Sequence, residues 1–508
     1  VSSSVRKFTD PDRAVDHIGK LYSEAITSLQ QAFDDYVEGR VEGPIREYYP
    51  RVEVDIVKPS ITRDKRDSYG FMTRPGKYVT TITRPDLFDS YLREQFSRIV
   101  KNHDVQIGVG ISTKAIPIHF AFDSSTNIGA RLSAEQVYEL PYFFTVADAF
   151  DAGIDNKIVD GLFDYSNGEM PLALFEAPRV DKSLSRISHY TGTKPDFFQD
   201  FIIFTNYADY IQRFREMAKG LFSPEITEAK TKLNKDAATT YLAFIEPGNV
   251  ITFNENIPDV HEKFNHVSGA KPFRLPQMPG YHLVREDGQG ISMVNIGVGP
   301  SNAANMTDHL AVLRPHAFFM LGHCAGLTED QRLGDYVLAN AYDRRDGVLD
   351  EAVPLSTPIP ALAEIQQAIK KGIAGAVGVD YKPDMPELKE RYRTGTIVSD
   401  QDRNWEEAPR ETLIRRFLLN RAVGLDMESA TIATNGFRYR IPYGTLLCIS
   451  DKPLQGIIKM PGMANDFYKS SVDQHFWAGI LAMEALRDEE PMRLHSRKLR
   501  SFMEPACR

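Results

Sequence analysis

Apolar residues recur at helical spacing early in the chain, at Val15, Ile18, Tyr22, Ala25, Ile26 and Leu29, with Asp10 and Asp12 near the start. That spacing predicts a helix over about 12–38. Strand-like runs follow at Val52–Val57 and Tyr78–Ile82, then a helix from about Pro85 to Val100 and a strand near Val105–Val109. The Asp-, Gly- and Pro-rich stretch from about Asp148 to Pro171 reads as loops. From about Arg179 the pattern changes. A short helix at Ser183–Tyr190 precedes a strand at Phe201–Phe204, a helix near Tyr207–Leu221, strands at Thr240–Ile245 and Gly290–Ile296, a helix at Asn302–Leu313 and a strand at Ala317–Leu321. This alternation predicts a mostly parallel sheet with helices on both faces. The charged stretch Glu225–Lys235 reads as a solvated helix or insertion. Near the end, Asp426 and Glu428 head an Ala/Ser/Thr-rich helix, and the apolar strand Gly444–Ile449 delivers Ser450 and Asp451 at its C-terminal end. Strand ends of that kind are where open α/β sheets bind ligands.

A length of 508 residues predicts two domains. The change of texture divides them into an α+β region, 1–180, and an α/β region, 181–508. A net charge of -9 argues against general nucleic-acid affinity, which needs basic surface to neutralise phosphates. The cysteines Cys324, Cys448 and Cys507 show no paired metal-ligand spacing, which predicts a reducing, cytoplasmic setting without a disulfide framework. No apolar run reaches the roughly 18–20 residues that span a bilayer. The first residues, VSSSVRKFTDPDR, lack an apolar core, so neither a membrane segment nor a signal peptide is expected. The histidines show no HExxH or similar spacing, so no metal site is expected.

Asn295–Ser301 reads NIGVGPS between a strand and a helix. Gly297 and Gly299 permit close backbone approach, and a helix N-terminus offers free N–H groups to an anion. Pro300 and Asn302 depart from the dinucleotide fingerprint, so no nicotinamide cofactor is expected. The next strand ends in Gly322-His323-Cys324-Ala325-Gly326, small residues that leave room for a flat ring or a sugar. Cys324 reads as a buried small residue rather than a nucleophile. His323 is open between packing and ligand contact.

NIGVGPSNA (295–303), GHCAGL (322–327), TGTIVSDQDRNWE (394–406), and GLDMESATIA with CISDKP (424–433, 448–453) occur in that order. Together they resemble the purine nucleoside phosphorylase and uridine phosphorylase superfamily over about Phe201–Arg487. KYVTTITRP (77–85), HYTGTKP (189–195), FTNY (204–207) and LHSRKLRSF (494–502) extend a resemblance to the bacterial AMP nucleosidases over nearly the whole chain. The resemblance implies a three-layer α/β/α domain with a central mixed, mostly parallel sheet, plus an N-terminal α+β domain for regulation or oligomerisation. It implies AMP as substrate, MgATP as activator, phosphate as inhibitor, and a homohexamer. Glu428 would accept the ribose hydroxyls with Met427 on the ribose wall, and Asp451 would be the acid at purine N7. Gly297, Gly299 and Ser301 match the anion-binding turn, and Arg403 or Trp405 would contact adenine. Phosphorylases of this superfamily follow their first strand with a Gly-Asp-Pro turn and an arginine. Here Thr205-Asn206-Tyr207 stands there, with no arginine before Arg213, which favours water as the nucleophile.

Breaking an N-glycosidic bond places positive charge on the sugar while electrons flow into the base, so protonation at N7 relieves the leaving group. Such an acid contributes about 10²–10⁴-fold. Asp451 could hold that proton in a dry site or beside another carboxylate. Glu428 would act ionised, near the developing cation, while Asp426 reads as a helix cap. Ser450 and His323 are further substrate-contact candidates. A 5′-phosphate needs cations or N–H groups, for which Arg186, His189, Lys452, Lys459, Arg84 and the tail His495–Arg500 are candidates. Two alternatives remain open here: an enzyme for an unphosphorylated purine nucleoside, and a catalytically silent nucleotide sensor.

Overall fold

A five-stranded sheet organises the first half of the chain. Its strands are β1 (Arg6–Phe8), β2 (Tyr48–Ile56), β3 (Gly76–Thr81), β4 (Ile107–Ala115) and β5 (Glu169–Pro171), in the order β1-β4-β2-β3-β5. Only β3 and β5 pair in parallel. The computed structural model describes residues 5–58, 68–123, 126–147, 152–166, 168–233, 237–382, 385–457, 466–489, 494, 499–500 and 504–508. The chain divides into two compact units, Val1–Ser188 with Arg500–Arg508, and His189–Leu499.

In the first unit the helix Pro11–Val37 buries Val15, Ile18, Tyr22, Ala25 and Leu29, the stripe its spacing predicts, and Asp10 caps it by accepting from the Asp12 N–H at 2.9 Å. The stretch read as loops contains a helix, Ala152–Val159, and the strand β5. A three-residue edge strand ending in proline is too short to show a period and needs no donor on its open side. Asp181 is buried, accepting from Tyr49 Oη at 2.6 Å and Thr83 Oγ1 at 2.7 Å. The change of unit falls inside the helix Ala177–Thr191 rather than at 180/181. The last residues also return to this unit: Gly70 N–H donates to Ala506 O (2.8 Å) and Cys507 N–H to Leu172 O (2.9 Å).

The second unit holds ten strands: β6 (Phe201–Thr205), β7 (Tyr241–Glu246), β8 (Val250–Phe253), β9 (Gly280–Arg285), β10 (Ile291–Asn295), β11 (Ala317–Gly326), β12 (Tyr336–Arg345), β13 (Tyr392–Asp400), β14 (Ala422–Asp426) and β15 (Tyr443–Asp451). Their order is β14-β13-β12-β15-β11-β6-β10-β9-β7-β8. β15, β11, β6 and β10 run parallel, and so do β12, β13 and β14. β12 joins β15 antiparallel, and β9, β7 and β8 form an antiparallel flank. The sheet is therefore mixed, with its parallel strands at the centre. β7 belongs to a meander rather than a crossover, and its half-buried edge partner β8 carries too few core positions to announce itself.

β6 and β11 are buried along their whole length and read as continuous apolar runs because both faces are covered. The covering helices include Ala208–Phe222, Pro300–Leu310, Ala363–Ala376, Ser429–Tyr439 and Asp466–Asp488. At Gly372 a Cβ would stand 2.2 Å from Ala478 O, so only glycine lets two of these helices approach. The charged stretch forms a short helix, Glu228–Lys232, within the described residues.

Candidate active site

Four parallel strands end along one edge. β6 leads into Asn206-Tyr207, β10 into the NIGVGPS turn, β11 carries Gly322 to Gly326, and β15 finishes at Ser450-Asp451. β14 runs antiparallel to the end of β11 with Leu425 opposite Ala325. Asp426, the next residue of β14, stands near Cys324, whose thiol feels its charge.

Glu428 is the centre of this edge, with 1% of its surface exposed. Its Oε1 accepts the Gly299 N–H at 2.6 Å and its Oε2 accepts from Asn206 Nδ2 at 3.1 Å. Gly299 precedes the helix Pro300–Leu310 at φ +122°, a conformation that favours glycine. Gly297 N–H donates to Asn295 Oδ1 at 3.1 Å. The two glycines of the turn thus spend their donors on the protein's own groups, and the acceptor at Gly299 is Glu428 itself. Ser301 is exposed at the helix head and Met427 is half-buried beside Glu428.

Asp426 accepts from Ser399 Oγ at 2.6 Å, from Ser429 N–H at 3.0 Å and from Ser429 Oγ, so it ties β13 to the head of the helix Ser429–Tyr439. Burial pushes its carboxyl up. Burial and the neighbouring Asp426 charge push Glu428 up to about 8, against the pull of Gly299 and Asn206. The expectation of a plainly ionised Glu428 changes accordingly: two adjacent carboxyls out of water retain a proton near neutral pH.

Asn206 occupies the place where the sequence analysis saw only a missing arginine. Its Oδ1 is buried without a hydrogen-bond partner among the described residues, 3.4 Å from where a Gly322 Cβ would stand. An unmade buried hydrogen bond costs about 1–3 kcal/mol. A ligand O–H donated to Asn206 would supply it. The polar residue directly after an apolar strand was the signal available.

Asp451 is half-buried, opposite Ala325 in the β11–β15 register, and accepts from Ser450 Oγ at 2.5 Å. Ser450 Oγ also lies 3.4 Å from Cys324 O. Glu406 was not among the expected site residues, and its carboxyl is pushed up by burial and by the charge of Asp451. Its only mark in the sequence is the acidic pair after Trp405.

Several expected contacts fall elsewhere. Trp405 is buried with Ala325, Leu327, Leu413, Phe417 and Leu425, its ring edge-on to Phe417 at 5.9 Å, so its indole packs the core. Arg403 is exposed on the turn before it. Lys452 is buried and donates to the carbonyls of Glu329 (3.0 Å) and Gln331 (2.7 Å), which turns its ammonium to backbone rather than phosphate. His189 is exposed, edge-on to Tyr190 at 5.1 Å. In the first unit Arg186 lines a cavity of about 640 Å³ with Lys182 and Ser185, Arg84 forks onto Asp86, and Arg500 donates to the Ser68 and Pro505 carbonyls. Lys459 and His495 to Lys498 lie outside the described residues. Cys324 is buried, and burial with the nearby Asp426 raises its thiol pKa well above the ordinary value, so it is no ready nucleophile. His323 is buried with its ring 4.0 Å from that of Tyr207 and its Nε2 3.0 Å from Tyr210 Oη.

Among the described residues no group of three His, Cys, Asp or Glu side chains could hold a metal ion, and no helix is long and apolar enough to cross a membrane. Residues 13–170 match the family described as "Bacterial AMP nucleoside phosphorylase N-terminus", and residues 255–472 match the "Phosphorylase superfamily". The AMP nucleosidase of Escherichia coli strain K12 is 41% identical over 512 residues, covering 98% of this chain and 98% of that protein, and the protein of strain O157:H7 matches equally. A solved AMP nucleosidase from Bacteroides thetaiotaomicron is 25% identical with a TM-score of 0.42, covering 61% of this chain and 99% of that one. On its full-length likeness to the Escherichia coli enzymes, the chain belongs to the AMP nucleosidase family.

Proposed function

We propose that this chain hydrolyses the N-glycosidic bond of AMP to adenine and ribose 5-phosphate. The observation that carries this reading is the 41% identity to an AMP nucleosidase across 98% of both chains. The geometry supports it, since Glu428 and Asp451 lie by the ends of β14 and β15 on either side of β11.

In this reading the ribose diol meets Glu428 and Asn206. Each carboxyl oxygen of Glu428 already accepts one hydrogen bond and has a second lone pair for a hydroxyl. The base meets Asp451, where Ser450 holds Oδ1 and the nearby Glu406 disfavours a second negative charge. A flat purine over this half-buried carboxyl removes its remaining water and favours the protonated acid that N7 requires. The 5′-phosphate ligands would come from Ser301 at the open head of its helix and from His189, rather than from Lys452.

The first unit would regulate or assemble the enzyme, with MgATP as activator, phosphate as inhibitor and a homohexamer as the working form in the cytoplasm. Adenine release from AMP and from adenosine, each with and without MgATP, tests the reading. Release from AMP, accelerated by MgATP, with adenosine inert, is expected. Faster release from adenosine would assign the chain to an unphosphorylated nucleoside, and no release from either would leave a silent sensor.

A further inference from the structure

The first unit holds a cavity of about 640 Å³ to which the catalytic chemistry gives no role. One wall is the helix Ala177–Thr191, whose Val180, Leu184 and Ile187 are buried. The opposite face of that helix turns Pro178, Lys182, Ser185 and Arg186 to the cavity, at the i, i+4, i+7 and i+8 positions that share one side. The other wall carries Pro117 and Phe120, which follow β4, together with Val146. Ile118 N–H donates to Thr145 O at 2.8 Å and so joins these two segments, while Ile116, Ile118 and Phe144 hold both in the buried core behind them. The cavity therefore stands on packed backbone.

Its charge is one-sided. The charged side chains on its walls are Lys182 and Arg186, and no lining residue is Asp or Glu, in a chain of net charge -9. A cleft lined by one sign of charge concentrates ligands of the other. Lys182 and Arg186 stand one helical turn apart, about 6 Å along the axis. That span fits more than one phosphate group, and the Ser185 hydroxyl between them adds a neutral donor. Across the cavity the half-buried Phe120 and the ring of Pro117 offer an apolar surface to a flat ring. The volume lies within the range of about 300–1,000 Å³ that holds small organic ligands, and is large for a lone inorganic anion.

We propose that this cavity binds a nucleoside polyphosphate, with its phosphates on Lys182, Ser185 and Arg186 and its base against Phe120. The site is built from first-unit residues only, so it is separate from Glu428 and Asp451. It gives the regulatory role proposed for that unit a place and rests on that reading for its consequence, while the binding itself does not depend on hydrolysis.

Binding of MgATP, AMP and inorganic phosphate is measured by titration calorimetry on the full-length wild type, Arg186→Glu and Ser185→Asp, with thermal melting to confirm folding. A negative charge placed among the phosphates is expected to weaken MgATP at least about tenfold in Arg186→Glu and about fivefold in Ser185→Asp. AMP affinity should stay within about twofold in both. MgATP bound equally by the wild type and the folded variants, or not bound by the wild type, would overturn the proposal. AMP weakened in place of MgATP would hand Arg186 to the substrate and overturn it too. Weakening of inorganic phosphate alone would leave a simple anion site and remove the nucleotide. Should Arg186→Glu not fold, Ser185→Asp at its exposed position decides by the same outcomes. A wild type whose MgATP affinity falls in the variants but which releases no adenine from AMP would defeat the hydrolytic reading and leave this site standing.

Discussion

Glu428 and Asp451 stand at the same edge of one sheet in opposite surroundings. Glu428 is buried and accepts a hydrogen bond on each oxygen before any ligand arrives, from Gly299 of the glycine turn and from Asn206 after β6. Asp451 is half-buried at the end of its strand, where Ser450 Oγ donates to its Oδ1. The first carboxyl is organised by folding, so removing it disturbs three loops at once. The second is partly exposed, and its acidity can change when a base covers it. Preorganised polar groups suit charge stabilisation, whereas a group whose solvation changes on binding suits proton transfer.

The largest effect is expected of Asp451→Asn. The isosteric change should cut turnover at least about 100-fold while leaving AMP affinity within about tenfold, since only the proton is lost. Equal losses in affinity and turnover would make Asp451 a binding group. Glu428→Gln should lower both turnover and stability, because its amide turns a donor toward Gly299 N–H or Asn206. A denaturant midpoint shift equivalent to about 1–3 kcal/mol is expected, and unchanged stability would show that the turn does not depend on Glu428. Asn206→Ala should cost less, about tenfold in kcat/KM, equivalent to roughly one hydrogen bond.

A smaller effect concerns pH. Burial raises Asp181 to about 7, Asp426 to about 6 and Glu428 to about 8, so the folded chain keeps protons that the unfolded chain has released. His282 and His475 are pushed down to about 3 from 6.5, so below that value the unfolded chain binds the extra protons. The two groups oppose each other below pH 6.5, and above it the carboxyls act alone. Stability should therefore fall as pH rises from 6.5 to 8, and Asp181→Asn should flatten the fall. Denaturant midpoints at these two pH values check the sign. The smallest effect is expected at Arg403→Ala, within about twofold in kcat/KM for an exposed side chain on a turn.

Much of this edge was legible in the sequence for a physical reason. Strand ends followed by Gly, Asn, Ser or Asp mark where an apolar run meets a polar crevice, and Asp426, Glu428, Asp451 and the glycine turn all carry that mark. Partners set by long-range register did not show. Asn206 and Glu428 are far apart in the chain and meet only because β14 runs back along β11. Lys452 and Trp405 misled because their residue types suit phosphate and adenine, while their directions are set by the Glu329–Gln331 loop and the Phe417 cluster. The antiparallel flank escaped because β8 is short and half-buried.

The products of AMP breakdown in phosphate-free buffer separate hydrolysis of a phosphorylated nucleoside from phosphorolysis. Hydrolysis yields adenine and ribose 5-phosphate in equal amounts without added phosphate. Adenine formed only when phosphate is supplied, together with a doubly phosphorylated ribose, would contradict it.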